Sequence, residues 1–211
     1  MEDKILKVKQ ALEKNNIEVF CANNKNDIVD IVKQIVPKAA CVSCGGSVTL
    51  SECNVTELLK SGYYDFLDRS KDSVTAEQIE EIYRKTFGCD AFFTSANAVT
   101  ENGELYCVDG NANRVAAITY GPEKVIFIVG ANKIVKDIPA AVKRVKEIAA
   151  PLNAKRLGLD TPCAKLGKCP DDSMTFGCDY KDRICISYYI TAFQRKKDRI
   201  KVILCNDSLG Y

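Results

Sequence analysis

With 211 residues, 46% of them hydrophobic, the chain can bury one large core. Thirty basic residues against twenty-eight acidic ones leave a net charge of +2, which excludes the electrostatic footprint of a general nucleic-acid binder. Histidine is absent, so Ser/His/Asp and Cys/His catalysis and His-ligated metals are excluded, and any proton transfer falls to Glu, Asp, Lys, Tyr or Cys.

The opening MEDKILKVKQ is charged and amphipathic without a signal-peptide core, and no apolar run reaches the roughly 20 residues of a membrane span. A soluble, cytoplasmic chain is expected. Ile5, Val8 and Leu12 recur at helical spacing within residues 3–15, and residues 17–21 read as a short strand. Residues 27–36 read as a helix stopped by Pro37, and residues 39–42 as a strand ending at the turn Ser43-Cys44-Gly45-Gly46-Ser47. One or two short helices fit residues 49–60, a strand residues 63–67, and a helix capped by Thr75 residues 75–87. Residues 90–94 form the next strand. Asn102-Gly103 then joins strands at 98–100 and 104–108, because both turn residues tolerate positive φ.

A helix is expected to start near Asn113, and the VIFIV run within residues 124–129 reads as a parallel strand buried on both faces. Residues 137–149 follow as a helix, with Pro139 in its first turn and Pro151 beyond its end. Residues 161–185 are rich in turn residues and cysteine. Strands at 184–193 and 199–204, antiparallel at a sheet edge, complete the pattern. Alternating strands and helices imply a single doubly wound α/β domain over residues 1–211, whose ligands sit at the carboxyl ends of the strands.

Three segments could carry chemistry. Residues 94–133 place three Asx/Gly turns between apolar segments, concentrating Asn97, Glu101, Asp109, Asn111, Asn113 and Arg114 where a scaffold presents contact groups; a run of tight turns without a ligand is the plainer alternative. The second segment, CVSCGGSVTLSE at residues 41–52, puts a glycine turn before a helix start. There Gly45 and Gly46 let the backbone approach a phosphate or carboxylate; Glu52 could act as a base or merely stabilise the helix. Its Cys41 and Cys44 read as packed thiols rather than a redox pair, since no Trp or Pro accompanies them.

The third segment holds Cys163, Cys169, Cys178 and Cys185, the ligand count of a structural zinc or an iron-sulfur cluster. No two of them are separated by the two to four residues of a zinc knuckle, so reduced packing thiols remain the alternative. Eleven cysteines, an odd number, argue against a disulfide framework.

GGSVTLSE at residues 45–52, NAVTENGELYCVDGNANRVAAITYGPEKVIFIVGANKIV at 97–135, PLNAKRL at 151–157, TPCAKLGKC, DRIC and the closing RIKVILCNDSLGY together resemble the lactate utilization (LUD) domain proteins. The resemblance covers most of the chain beyond residue 40. It implies a Rossmann-like three-layer fold similar to the sugar-phosphate isomerase and CoA-transferase superfamily. It also implies work beside iron-sulfur partner subunits in oxidising L-lactate to pyruvate, or alternatively a stand-alone isomerase or transferase activity with Glu52 or Asp109 as acid/base.

By position it nominates Gly45, Gly46, Ser47, Thr49, Asn97, Glu101, Asn111, Asn113 and Arg114 as contacts to a small carboxylate or phosphorylated ligand, with Arg114 as the carboxylate clamp. The residues leave oligomeric state open, a homo-oligomer included. The chain departs from the family pattern where residues 170–177 separate Cys169 from Cys178, a pair expected as C-x2-C.

Overall fold

The computed structural model describes residues 2–175 and 177–211; Met1 and Phe176 lie outside the description. Helix α1 (Glu2–Lys14) leads into β1 (Glu18–Ala22). Helix α2 (Ile28–Ile35) and β2 (Cys41–Cys44) follow, then two short helices, α3 (Val48–Glu52) and α4 (Val55–Lys60). Next come β3 (Asp65–Phe66), α5 (Ala76–Lys85), β4 (Ala91–Thr94), β5 (Ala98–Thr100) and β6 (Leu105–Asp109). Helix α6 (Asn113–Thr119) precedes β7 (Lys124–Gly130) and β8 (Ile134–Val135). The chain closes with α7 (Ile138–Arg144), α8 (Ala150–Arg156), α9 (Pro162–Leu166), β9 (Ser187–Thr191) and β10 (Ile200–Cys205).

Six strands form one parallel sheet in the order β1-β10-β7-β4-β2-β3. Its centre is apolar on both faces because each central strand feeds two cores. Val125, Phe127 and Val129 of β7 point to the side covered by Ile5, Val8 and Leu12 of α1 and Ala117 and Ile118 of α6. Ile126 and Ile128 of the same strand point to α2 and α4, meeting Ile28, Val32, Val55 and Leu59. Burying each such side chain contributes roughly 1.5–3 kcal/mol, so the unbroken apolar run of β7 follows from its place between two helical layers. This is the α/β three-layer core expected from the alternating pattern.

A second sheet, β8-β5-β6-β9, lies against it. Val99, Leu105 and Cys107 join the core of the large sheet, whereas Ala98, Tyr106 and Val108 face Ala141, Val142, Val145 and Ala150 of the α7–α8 helix. Period-two alternation therefore makes this small sheet a spacer with a core on each side.

Two expectations are corrected. The last two strands do not pair with each other: β10 sits inside the large sheet, parallel to β1 and β7, while β9 runs antiparallel to β6 in the small one. The fully buried IKVILC run of β10 has the composition of a central parallel strand rather than an edge. The helix expected to stop before Pro151 also continues to Arg156. A π turn at Val145–Ala149, with the Ala150 amide donating to the Val145 carbonyl, widens the helix just before Pro151 and relieves the clash its ring would make.

Candidate functional site

A cavity of about 250 Å³ opens where β2, β4 and β7 end, the position ligands take in open α/β sheets. Gly46, Ser47, Val48 and Thr49 line it after β2, Ser95, Ala96 and Asn97 after β4, and Lys133 after β7. The small sheet adds Val108 and Asp109, continuing into Gly110, Asn111, Asn113 and Arg114. Arg69, Tyr83 of α5, Asn153 and Arg156 of α8, and Tyr211 complete the wall.

Arg114 organises this wall from within. Its Nε donates to Asp109 Oδ1 at 2.7 Å, Nη1 to the Ser95 carbonyl at 2.8 Å, and Nη2 to Asn97 Oδ1 and the Val108 carbonyl, both at 2.8 Å. The second Asp109 oxygen accepts from the Val115 amide at 2.9 Å, and Asn97 Oδ1 also accepts from the Val108 amide at 2.9 Å. Four of the five guanidinium N–H groups are thus spent on the protein. Arg114 is a brace between β4, β6 and α6, with little left to hold a ligand carboxylate. The same bonds hold the turn at Ala112, whose φ of 58 is a conformation that costs a residue with a Cβ about 1–2 kcal/mol.

Lys133 lies at the bottom of the cavity, only 3% exposed. Its Nζ donates to Thr49 Oγ1 at 2.8 Å and Ser95 Oγ at 3.0 Å. Burial pulls its ammonium down to about 7, and the charges of Arg144 and Arg114 act in the same direction. Arg144 stands behind it, donating from Nη1 to the Asn97 carbonyl at 2.7 Å and from Nε to the Asn132 carbonyl at 3.2 Å.

The outer wall carries two further cations. Arg69 stacks on the Tyr83 ring at 5.4 Å and donates to its hydroxyl at 3.1 Å, and Gly46 lies beside its guanidinium, where a Cβ would be 3.5 Å from Nη2. Arg156 Nε donates to the Tyr211 hydroxyl at 2.7 Å, and its Nη2 to Asn153 Oδ1 at 2.8 Å. Among the described residues Asp109 is the one carboxylate lining the cavity, and it is bonded to Arg114. The cavity is therefore cationic and suited to a small anion.

The sequence-nominated residues divide. Gly46, Ser47, Thr49, Asn97, Asp109, Asn111, Asn113 and Arg114 meet at this cavity. Gly45 stands just behind it, where a Cβ would touch the Arg114 stem at 3.4 Å. Glu52 and Glu101 are not among the lining residues. Glu52 accepts from the Gly210 amide at 2.6 Å, which ties down the closing segment, and Glu101 pairs with Lys7 at 2.6 Å. The glycine turn is also a weaker anion cradle than its composition suggests: the Ser47 hydroxyl caps α3 by accepting from the Leu50 amide at 3.4 Å.

A profile of the LUD domain matches residues 5–205. The chain belongs to the LUD domain family. A DUF162 family protein from Deinococcus radiodurans shares the fold at 11% identity and a TM-score of 0.51, over 97% of both chains. Partial overlaps are seen with eIF2B delta from Chaetomium thermophilum (18% identity, TM-score 0.37, 54% of this chain and 49% of that one) and with ribose 5-phosphate isomerase A from Neisseria gonorrhoeae (16%, TM-score 0.34, 53% of each). No curated protein matches this LUD chain by sequence.

The tail cysteines of this LUD protein converge. Cys163, Cys169, Cys178 and Cys185 all line a second cavity, of about 20 Å³, together with Lys146, Tyr188 and the Tyr106 ring. Burial raises the Cys178 thiol and pushes Cys185 up to about 11, with neighbouring thiols adding to both, so these groups stay protonated near neutrality. A space of that size has room for about one water. Among the described residues no three Cys, Asp or Glu side chains are grouped as a metal ion requires. The arrangement does not fit an iron-sulfur cluster, and zinc would need the four thiols drawn closer. Cys41 and Cys44 face opposite sides of the large sheet, as residues three apart on a strand must.

Sequence reasoning missed Arg69, Ser95, Lys133, Asn153 and Arg156. Lys133 had a usable signal, since it follows the clearest buried strand by three residues and so falls at the carboxyl end of the sheet. Arg156 lies within PLNAKRL, a motif of the resemblance, but nothing local assigns it or Arg69 to the cavity, because each reaches it from a segment whose docking is set by tertiary packing.

Proposed function

We propose that this LUD protein is a subunit or accessory of an iron-sulfur system that oxidises L-lactate, and that its cavity holds a small carboxylate or phosphorylated ligand. The observation that carries the ligand class is the charge balance of the cavity: Arg69, Lys133 and Arg156 line it, while its carboxylate, Asp109, is bonded to Arg114 and the Val115 amide. An anion entering this wall meets the guanidinium donors of Arg69 and Arg156 without a competing free carboxylate. On this reading the iron-sulfur chemistry belongs to partner subunits.

Calorimetry with L-lactate, pyruvate, inorganic phosphate and a sugar phosphate tests the ligand class; saturable binding of one of them, weakened when Arg69 or Arg156 is changed to Gln, is expected. Deletion of the gene should impair growth on L-lactate, and affinity capture should recover an iron-sulfur subunit. Unchanged growth together with no such subunit would overturn the assignment to lactate oxidation.

The alternative, a stand-alone isomerase or transferase, would need its acid/base at Lys133. Asp109 is engaged with Arg114, and Glu52, which is not among the lining residues, accepts from the Gly210 amide.

A further inference from the structure

The hydrogen bonds around Lys133 define which atoms of its amine are left for chemistry. Thr49 Oγ1 gives its own hydrogen to the Leu209 carbonyl at 3.3 Å, and Ser95 Oγ gives its hydrogen to the Ala96 carbonyl at 3.3 Å. Both hydroxyls therefore meet Lys133 as acceptors, at 2.8 and 3.0 Å. Two acceptors use the two N–H bonds of a neutral amine and leave one position on nitrogen, the lone pair. Lys133 has no carboxylate partner among the described ion pairs. It stands near the guanidiniums of Arg144 and Arg114, which together with burial outweigh the opposing charge of Glu52 and favour an uncharged, nucleophilic lysine.

The closing segment holds this geometry. A Cβ on Gly210 would lie 2.5 Å from Thr49 Oγ1 and 3.5 Å from Lys133 Nζ, so the segment packs directly on the Thr49–Lys133 bond. Asn132, next to Lys133, donates from Nδ2 to the Gly210 carbonyl at 3.1 Å and accepts from the Leu209 amide at 3.1 Å. The amine is thus positioned from both sides before any ligand arrives.

We propose that Lys133 is a covalent binding residue that forms an imine with a short 2-oxo carboxylate. The substrate class rests on the reading of the cavity as an anion site in lactate oxidation, whose product, pyruvate, is the simplest such compound. The amine lone pair attacks the carbonyl carbon and forms the C–N bond. The carbonyl oxygen then leaves as water, carrying away the two hydrogens of the amine, and no oxidant or reductant is consumed. Thr49 and Ser95, in contact with the nitrogen, accept the amine protons while their own O–H groups swing from the Leu209 and Ala96 carbonyls to protonate the departing oxygen. Arg69 and Arg156 on the same wall meet the carboxylate.

The test is reductive trapping of the full chain with pyruvate and cyanoborohydride near pH 7, read by intact mass and peptide mapping. An adduct of the mass of pyruvate less one oxygen, on Lys133, is expected. Its formation should be on the order of a hundredfold faster than on a surface lysine, whose amine ordinarily titrates at about 10.4. L-Lactate, which has a hydroxyl in place of the carbonyl, should bind by calorimetry and leave no adduct. Lys133→Met should abolish trapping with an unchanged circular dichroism spectrum; should that variant fail to fold, Lys133→Arg and the wild-type peptide map decide the point.

Binding of pyruvate and lactate without an adduct on Lys133, or adducts spread over surface lysines, would overturn the imine and leave the anion-site reading standing. Absence of binding by either compound would overturn both.

Discussion

Two Asx-Gly turns lie within a few residues of each other, Asn102-Gly103 and Asp109-Gly110, and they end in unlike places. The first turns away from the cavity and docks on α1: Asn15 Nδ2 donates to the carbonyls of Asn102 at 2.9 Å and Gly103 at 3.1 Å, and Glu101 pairs with Lys7. The second lines the cavity, where Asp109 and Arg114 brace it against Ser95 and Asn97. Turn chemistry marks where the backbone bends. Which end of the sheet the bend occupies decides whether it meets a ligand or another helix.

The largest effect that separates the two turns is expected from Arg114→Ala, which strands the buried Asp109 carboxylate and three carbonyl or amide acceptors. Stability by urea unfolding should fall by about 3–5 kcal/mol, and anion binding should be lost with it. Gly103→Val is the matched lesion in the other turn. Gly103 has a φ of 81, and a Cβ there would sit 2.6 Å from the Ala11 backbone, so α1 must shift. A loss of about 2–3 kcal/mol is expected, with ligand affinity of the folded protein unchanged. Loss of affinity in this variant would mean that the turns are coupled.

The protonation of Lys133 supplies a third test. Its folded value is depressed from 10.5 to about 7, so below about pH 7 the amine is protonated in both states and the full penalty of the buried ammonium is present. Between these values the unfolded chain holds a proton that the folded chain has shed, and folding stability rises with pH. Relative to Lys133→Met, the wild type should gain about 1 kcal/mol per pH unit over that window, measured by urea unfolding in a pH series. A flat difference would place the amine with the ordinary lysines.

Arg156→Gln should leave stability near wild type and weaken anion binding by on the order of tenfold to a hundredfold, the loss of one charge-assisted hydrogen bond. Smallest of all, Glu101→Gln should change neither ligand binding nor, measurably, the unfolding midpoint, because its partner Lys7 is exposed and solvent screens the pair.

Much of the fold was legible because its signals are local. The VIFIV run of β7, the helical spacing of Ile5, Val8 and Leu12, and the Thr75 cap each name an element without help from the rest of the chain. Partner choice was not legible. The IKVILC segment could be read as a strand but not as the parallel neighbour of both β1 and β7, since the pairing joins Lys201 to Glu18 and Ile200 to Val125, residues far apart along the chain. Pro151 misled for a related reason: a π turn removes the clash that normally ends a helix, and no residue pattern announces it.

The site shows the same division. Residue types and spacing by themselves determined an α/β chain without histidine chemistry, a glycine turn after β2, and a polar stretch ending at Arg114. Tertiary structure alone decided that Arg114 is spent as a brace, that Glu52 and Glu101 take other partners, and that Arg69 and Arg156 supply the positive wall around a buried Lys133. The reason is physical: turns and periodicities arise from neighbours along the chain, whereas hydrogen-bond inventory and burial depend on groups brought together from segments far apart in sequence.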